Sequence, residues 1–238
     1  MIVKICGTTN EDDALLAVAM GADMVGFVFA PSPRQIAPQQ AADIVKRLPP
    51  EILSIGVFRN EAPKRVVEIA QHAGMNGVQL SGHESPDTTQ WIRERVPLVI
   101  KAFAAGDDRV ARAADYGCDI VMLDGANPGA GQVFDWQLSS EAPSGLPLMI
   151  AGGLTPDNVA TAIETTHPWA VDVVTGVEKA PGMKDPVKLR AFIANAKAAD
   201  AGPSPQAGPV KSIDDPTGGI TREDRGSRSG GVYDWEDH

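Results

Sequence analysis

A thiol and a carboxylic acid each follow a short apolar run of this chain. Cys6 follows residues 2–5, and Asp124 follows residues 119–123. A thiolate can remove a proton and a protonated carboxyl can donate one, so the two residues are candidates for a general base or nucleophile and a general acid. Lys4, on the same side of an extended segment as Cys6, is expected to lower the pKa of the thiol. The alternatives are a small buried filler for Cys6 and an Asp-Gly turn for Asp124.

Two apolar runs late in the chain end in glycine and indicate an anion site. The first run ends in Gly152 and Gly153, and the second ends in Thr175 and Gly176. Glycine lets a ligand approach the backbone, whose N–H groups then point at it. Thr155 and Pro156 resemble a helix N-cap and first turn, so we expect the glycine pair to lead directly into a helix N-terminus, which favours a dianion. Together the two runs predict a paired phosphate site.

Two further cations have alternative roles. Arg34 ends a segment stiffened by proline (residues 31–34, PSPR) and could hold a carboxylate bidentately, or it could be a surface arginine. Lys101, within an apolar run, could form a Schiff base, although a role in an internal ion pair is the commoner one. No His, Cys and Glu spacing indicates a metal site.

Composition narrows the class of protein. The 238 residues carry a net charge of −10, which argues against nucleic acid or an anionic membrane as the main partner. Two cysteines make no disulfide framework, so a reducing cytoplasm is the expected location. No apolar run has membrane-spanning length and no signal peptide is recognisable. We therefore expect a cytoplasmic protein that acts on a small molecule.

These residues must be positioned by a fold in which strands and helices alternate. We count eight strand–helix pairs in about 200 residues, which predicts a (β/α)8 TIM barrel rather than a flavodoxin-like sheet of about five pairs. In such a barrel the strand ends meet at one mouth, and a phosphate site lies after strands seven and eight. The predicted helices include 11–20, 38–48, 63–73, 86–95, 108–116, 135–140 and 186–197.

The last forty residues differ from the rest. From Asp200 onward Gly, Pro, Ser and charged residues dominate and no apolar periodicity survives. Such a segment cannot offset its ordering entropy. We predict a barrel domain at residues 1–198 and a disordered acidic tail at residues 199–238.

Several short motifs occur together in an order that identifies a family. They are residues 4–7 (KICG), 26–29 (GFVF), 32–34 (SPR), 77–80 (GVQL), 123–125 (LDG), 134–136 (FDW), 151–156 (AGGLTP), 176–178 (GVE) and 181–185 (PGMKD). In this combination the chain resembles phosphoribosylanthranilate isomerase, of tryptophan biosynthesis. The resemblance covers residues 1 to about 198 and leaves the tail outside.

The resemblance implies an Amadori rearrangement of a small-molecule substrate without cofactor or metal. Cys6 would be the general base, Asp124 the general acid, and Arg34 the group that holds the anthranilate carboxylate. The further substrate-binding positions it implies are Gln79, Ser81, Gly152, Gly153, Thr175 and Gly176, the last four for the ribose phosphate. Members of the family include monomers and dimers, so the resemblance implies a monomer or a homodimer here.

Three positions depart from the family pattern. Ser81 stands where histidine is usual, Val174-Thr175 where two serines are usual, and Gln132 where a loop lysine is usual. Ser81 favours an alternative function, a barrel that binds a sugar phosphate without turnover. An isomerase for the related aminoimidazole-carboxamide ribonucleotide is a further alternative, but its substrate has two phosphates and the chain shows only one glycine-ended pair of strands.

Overall fold

Eight parallel strands close into a barrel in the order of the sequence, which confirms the predicted fold class. The computed structural model describes residues 1–125 and 135–199. The strands are β1 (Ile2–Ile5), β2 (Met24–Val28), β3 (Leu53–Phe58), β4 (Gly77–Leu80), β5 (Val99–Ala104), β6 (Ile120–Asp124), β7 (Leu148–Ile150) and β8 (Ala170–Val173).

Helices surround the barrel, and most of them begin with a capping residue or a proline. Asn10, Ser85 and Asp185 accept hydrogen bonds from backbone N–H groups of the first turns of α1, α4 and α6. The helices are α1 (Glu11–Ala19), α2 (Pro38–Val45), α3 (Pro63–His72), α4 (Pro86–Arg93), α5 (Val159–Thr166) and α6 (Pro186–Ala198). Short 3-10 helices span Val110–Tyr116, Trp136–Glu141 and Thr175–Val177.

Three local predictions were wrong or incomplete. The predicted helix 108–116 is a 3-10 helix with a kink at Arg112. The helix predicted to begin at Thr155-Pro156 begins at Val159, because the Asn158 side chain binds both Thr155 N and Gly153 O and holds a turn there. An antiparallel hairpin after β8, formed by β9 (Glu178–Ala180) and β10 (Met183–Lys184), was not predicted.

The inside of the barrel is apolar at the amino end of the strands and polar toward the carboxyl end. A cluster that includes Met24, Ile55, Ile100, Met122 and Met149 fills the interior. Successive strand residues face opposite sides, so the residues two positions further along the strands approach the mouth.

Some predictions fall outside the described residues. The loop with Gln132 lies in residues 126–134, and the predicted tail, apart from Ala199, lies in residues 200–238. The disorder of the tail and its boundary at residue 198 stay predictions. Within residues 1–125 and 135–199, no helix has the length and hydropathy needed to cross a bilayer.

Candidate active site

Cys6 lies one residue past the end of β1, beside a buried ion pair. Its backbone N–H donates to Val173 O at 2.9 Å, which continues the pairing of β1 with β8. In the same pairing Lys4 lies opposite Asp172, and Lys4 Nζ is 2.8 Å from Asp172 Oδ1. The Lys4 side chain is fully buried and that of Asp172 is 5% exposed. Lys4 and Cys6 therefore share the inner side of the barrel, as their spacing predicted.

Gly26 on β2 makes room for the thiol and the ammonium. A Cβ at this position would lie 2.6 Å from Cys6 Sγ, which is closer than real Cβ atoms approach, and 3.1 Å from Lys4 Nζ, which is tighter than most Cβ contacts. A glycine at position 26 thus allows both groups to lie against the neighbouring strand. The sulfur of Cys6 and the nitrogen of Lys4 therefore both lie next to the space that a side chain at position 26 would fill.

The pKa of Cys6 differs from the prediction. Burial raises the pKa of the thiol above its usual value, and the nearby Asp172 carboxylate adds to the rise. Lys4 and Lys184 lower it, as expected of cations, but their effect is smaller than that of burial. The predicted lowering by Lys4 therefore has the right sign, while the predicted net result was wrong because the sequence does not show how deeply Cys6 is buried.

Asp124 is the last residue of β6 and is half-buried at the barrel mouth. Its Oδ1 accepts a hydrogen bond from Gly125 N at 2.7 Å. Burial, together with the negative charge of Asp172, raises the pKa of Asp124 to about 6. A carboxyl with this pKa keeps a protonated population near neutral pH, as a general acid requires.

Asp172 belongs to this site, and the sequence analysis gave it no role. Its charge raises the pKa of both Cys6 and Asp124, while the charge of its partner Lys4 lowers both. One ion pair thus acts on the two candidate proton-transfer groups. The sequence did contain a signal for this role. Asp172 interrupts a short apolar strand, and a carboxylate buried there needs a charged or hydrogen-bonding partner.

The two glycine-ended segments lie against each other and line one cavity. A Cβ at Gly176 would collide with the Leu154 carbonyl, and one at Gly152 would collide with Gly125 N. Gly152 and Gly153 both have positive φ, +82° and +66°, which L side chains rarely adopt. The cavity is lined by Asp124, Ala151, Gly152, Gly153, Leu154, Asp172, Val173, Val174 and Thr175.

A helix N-terminus still faces this cavity, but a different one from that predicted. Because α5 begins only at Val159, the glycine pair does not lead directly into it. The 3-10 helix Thr175–Val177, which contains Gly176, begins at the cavity wall instead. In barrels of this type a short extra helix after strand eight is a common phosphate-binding element.

Arg34 does hold a carboxylate bidentately, and that carboxylate belongs to Glu178. Arg34 Nε lies 2.9 Å from Glu178 Oε1, and Nη2 lies 2.7 Å from Oε2. The arginine side chain passes over Gly7, where a Cβ would be 2.7 Å from Arg34 Cδ. Since Gly7 follows Cys6, the guanidinium is close to the thiol side of the mouth.

Gln79 and Ser81 form a pair at the end of β4. Gln79 Nε2 donates to Ser81 Oγ at 3.0 Å, and the Gln79 side chain is almost fully buried. Gln79 Oε1 is buried and has no hydrogen-bond partner among the described residues. A buried amide oxygen of this kind is suited to accept a hydrogen bond from a ligand hydroxyl.

Lys101 is engaged in structural contacts. Its Nζ lies 2.9 Å from Glu84 Oε2 and also donates to the carbonyls of Leu80 and Gly82. The lysine therefore serves the alternative role considered for it, as an ion-pair partner. In the part of the chain that the structure describes, no cluster of three or more His, Cys, Asp or Glu could hold a metal ion.

The structure therefore groups most of the candidate residues in two sets, apart from the pair Gln79–Ser81 at the end of β4. Asp124, Gly152, Gly153 and Thr175 line one cavity. Cys6 and Arg34 lie beside it around Gly7, and the pair Lys4–Asp172 connects the two sets. At one barrel mouth, the anion-binding segments can hold a phosphorylated sugar, and the carboxyl and the thiol can transfer protons to and from it.

Comparison with known proteins identifies related chains. A family model described as N-(5'-phosphoribosyl)anthranilate (PRA) isomerase matches residues 3–195. N-(5'-phosphoribosyl)anthranilate isomerase of Desulforudis audaxviator is 47% identical over 205 residues, covering 83% of this chain and 98% of the relative.

Solved structures give the same result. One is phosphoribosyl anthranilate isomerase in complex with reduced 1-(o-carboxyphenylamino)-1-deoxyribulose 5-phosphate, with a TM-score of 0.74 and 42% identity, covering 83% of this chain and 100% of the other. Another shows monomers generated from the dimeric isomerase of Thermotoga maritima, with a TM-score of 0.73 and 41% identity, covering 83% and 100%.

Proposed function

Because the chain belongs to the N-(5'-phosphoribosyl)anthranilate isomerase family and carries out that isomerase step of tryptophan biosynthesis, we propose that Cys6 and Asp124 are the base and the acid of the reaction. The substrate, N-(5'-phosphoribosyl)anthranilate, is rearranged to 1-(2-carboxyphenylamino)-1-deoxyribulose 5-phosphate. The observation that carries the proposal is the shared ion pair, Lys4–Asp172, whose charges act on both groups.

The first step is assigned to Asp124. Its protonated carboxyl donates to the furanose ring oxygen while the C1′–O bond breaks, and the nitrogen lone pair forms a C1′=N iminium. Burial favours the neutral carboxyl before the step. Once Asp124 has lost its proton, the Gly125 N–H and the Lys4 charge stabilise the carboxylate. The group is therefore poised between its two states.

The second step is assigned to Cys6. The thiolate takes the C2′ proton, and the C–H electrons form the C1′=C2′ bond of an enolamine, which neutralises the nitrogen. Burial disfavours the thiolate in the free site, whereas Lys4 and Lys184 favour it. The iminium cation made in the first step adds a further positive charge near the sulfur, so a larger fraction of Cys6 is in the thiolate form when the C2′ proton is to be removed. The enolamine then tautomerises to the ketone product.

Substrate placement is assigned to the remaining residues. Gly152, Gly153, Thr175 and Gly176 bind the phosphate, and Gln79 with Ser81 contacts the sugar. Arg34 binds the anthranilate carboxylate through the N–H groups that Glu178 does not use. Holding both ends of the substrate fixes C1′ and C2′ between the acid and the base, which supplies the positioning part of catalysis.

Complementation tests the function as a whole. A tryptophan auxotroph that lacks this step should grow without tryptophan when it expresses the chain. The variants Cys6→Ser and Asp124→Asn should fail to support growth at equal protein level. If ligand stabilises the purified protein and no product forms, the chain is a sugar-phosphate-binding barrel and the assigned roles of Cys6 and Asp124 are wrong.

For assembly and location we propose a monomer or homodimer in the cytoplasm. The dimeric state described for the Thermotoga maritima relative supports the second of these assemblies. Both cysteines of the described residues are free thiols, which fits a reducing compartment. Light scattering of the purified chain gives the assembly, and a mass above that of two chains would contradict the proposal.

A further inference from the structure

The unpredicted hairpin β9–β10 is fixed against the loop after β1 and the first turn of α1. Thr9 Oγ1 donates to Gly182 O at 2.7 Å, and Lys184 N donates to Asp13 Oδ2 at 2.9 Å. The hairpin lies after β8, and its contacts lie after β1, so it spans the seam where the barrel closes. It thereby brings two buried charged side chains, Glu178 and Lys184, to the mouth.

Glu178 receives hydrogen bonds from three directions. Arg34 donates through Nε and Nη2, Lys184 Nζ lies 3.2 Å from Oε1, and Gly182 N donates to the same oxygen at 3.2 Å. Burial alone would raise the pKa of Glu178, but Arg34 and Lys184 outweigh it and hold the pKa below its usual range. The carboxylate is therefore a fixed negative charge between two cations.

Lys184 connects this cluster to the thiol residue. Its ammonium group is fully buried and also donates to the backbone carbonyl of Cys6 at 2.5 Å. A continuous series of contacts thus runs from Cys6 through Lys184 and Glu178 to Arg34. Two cations and one anion leave the cluster with one net positive charge beside the mouth, which attracts a carboxylate.

The way Glu178 holds Arg34 leaves a defined part of the guanidinium for a ligand. The hydrogen bonds to Glu178 use Nε–H and one hydrogen of Nη2. A guanidinium has five N–H donors in one plane, so the terminal edge formed by Nη1 and the second Nη2 hydrogen remains. That edge matches a second carboxylate in side-by-side geometry.

We propose that Glu178 is a positioning residue that determines specificity for an aniline ring bearing an ortho carboxylate, by aiming the terminal edge of Arg34 at that carboxylate. Lys184 supports this role because it links the carboxylate of Glu178 to the backbone carbonyl of Cys6. The inference rests on the proposed role of Arg34. It predicts that loss of Glu178 weakens recognition of the substrate carboxylate while contacts to the ribose phosphate stay intact.

Two substrates separate a positioning role from a merely structural one. They are N-(5'-phosphoribosyl)anthranilate and N-(5'-phosphoribosyl)aniline, which lacks the carboxylate; the second is followed as a substrate or, if it turns over slowly, as a competitive inhibitor. Glu178→Gln should raise KM for N-(5'-phosphoribosyl)anthranilate about tenfold or more, as expected for the loss of hydrogen bonds to a charged group. For the second compound, KM or Ki should stay within about twofold.

Matched variants complete the experiment. Glu94→Gln also removes a carboxylate from an arginine, Arg95, on the exposed end of α4, and should change neither value. Glu178→Asp keeps the charge but withdraws it by one methylene, so it should show a smaller selective loss and provides the test if Glu178→Gln does not fold. Equal loss on both compounds would overturn the proposal. Arg34→Met separates the failure of this inference from the failure of the proposed role of Arg34. If that variant loses equal affinity for both compounds, Arg34 does not bind the substrate carboxylate.

Discussion

Lys4 Nζ and Asp172 Oδ1 lie 2.8 Å apart inside the barrel, and this ion pair joins strands that are adjacent only because the barrel closes. Its two charges act in opposite senses on Cys6 and on Asp124. The closing seam of the fold is therefore also the electrostatic centre of the site.

Replacing Lys4 should affect stability and thiol reactivity separately. Lys4→Met leaves Asp172 buried without its partner, which should lower the free energy of unfolding by about 3–5 kcal/mol. Cys6 also loses the stronger of the two cations that lower its pKa, so its alkylation by iodoacetamide at pH 8 should slow about tenfold. Urea denaturation and alkylation kinetics in a Cys118→Ala background, which removes the other described thiol, measure the two effects.

The double variant Lys4→Met/Asp172→Leu serves as the control for that experiment. Removing both charges should restore much of the stability, because no unpaired charge stays buried. The thiol should remain slower to react than in the wild type, because Lys4 acts on the pKa of Cys6 more strongly than Asp172 does, but the loss of Asp172 should recover part of the rate. Alkylation of Cys6 at the wild-type rate in Lys4→Met would contradict the role assigned to Lys4.

The raised pKa of Asp124 predicts a pH-dependent gain in stability for Asp124→Asn. In the folded protein this pKa is about 6, above the ordinary 3.8, so the folded state holds the proton more tightly than the unfolded chain does. Above pH 6 the charged carboxylate therefore destabilises the fold, and its removal should stabilise the protein by about 1–3 kcal/mol. The gain should shrink as the pH falls from 6 toward 3.8.

Urea denaturation of wild type and Asp124→Asn at pH 4.5 and pH 8 measures this difference. Asp108→Asn, which removes an exposed carboxylate, should show no such change between the two pH values. A gain for Asp124→Asn that is equal at both pH values would mean that protonation of this carboxyl is not its source.

Two glycines with positive φ provide a matched test of the phosphate site. Gly152 and Gly145 have φ of +82° and +102°, so alanine should cost about 1 kcal/mol of backbone strain at either position. Only at Gly152 would the new Cβ also meet Gly125 and Asp124 Oδ1, whereas nothing lies within 4 Å at Gly145. Inorganic phosphate, used as a competitive inhibitor, should lose about tenfold in affinity for Gly152→Ala alone. Equal affinity in both variants would place the phosphate elsewhere.

Local patterns in the sequence were sufficient to predict the barrel. Most strands are short apolar runs bounded by glycine, proline or polar residues, so neighbouring residues determine them. The hairpin was missed because β9 and β10 have only three and two residues and lack an apolar run. Pairings between remote residues were beyond such patterns as well: Lys4 and Asp172 are 168 positions apart, and Arg34 and Glu178 are 144 apart.

The same limit applies to the chemistry of the site. The sequence showed a lysine two residues from Cys6 and so predicted the sign of its effect on the thiol. Depth of burial arises from the whole fold, and it decides the net pKa of Cys6. Arg34 was predicted to hold a carboxylate from its residue type, but its partner Glu178 could be found only in the structure.

The central claim is that Cys6 and Asp124 transfer the protons of the rearrangement. It is tested most directly by following the loss of phosphoribosylanthranilate fluorescence with purified wild type, Cys6→Ser and Asp124→Asn, each shown to be folded by its thermal transition. We predict that kcat falls by about 10²–10⁴ in each variant, because each lacks one proton-transfer group. Turnover at the wild-type rate in either variant would contradict the account.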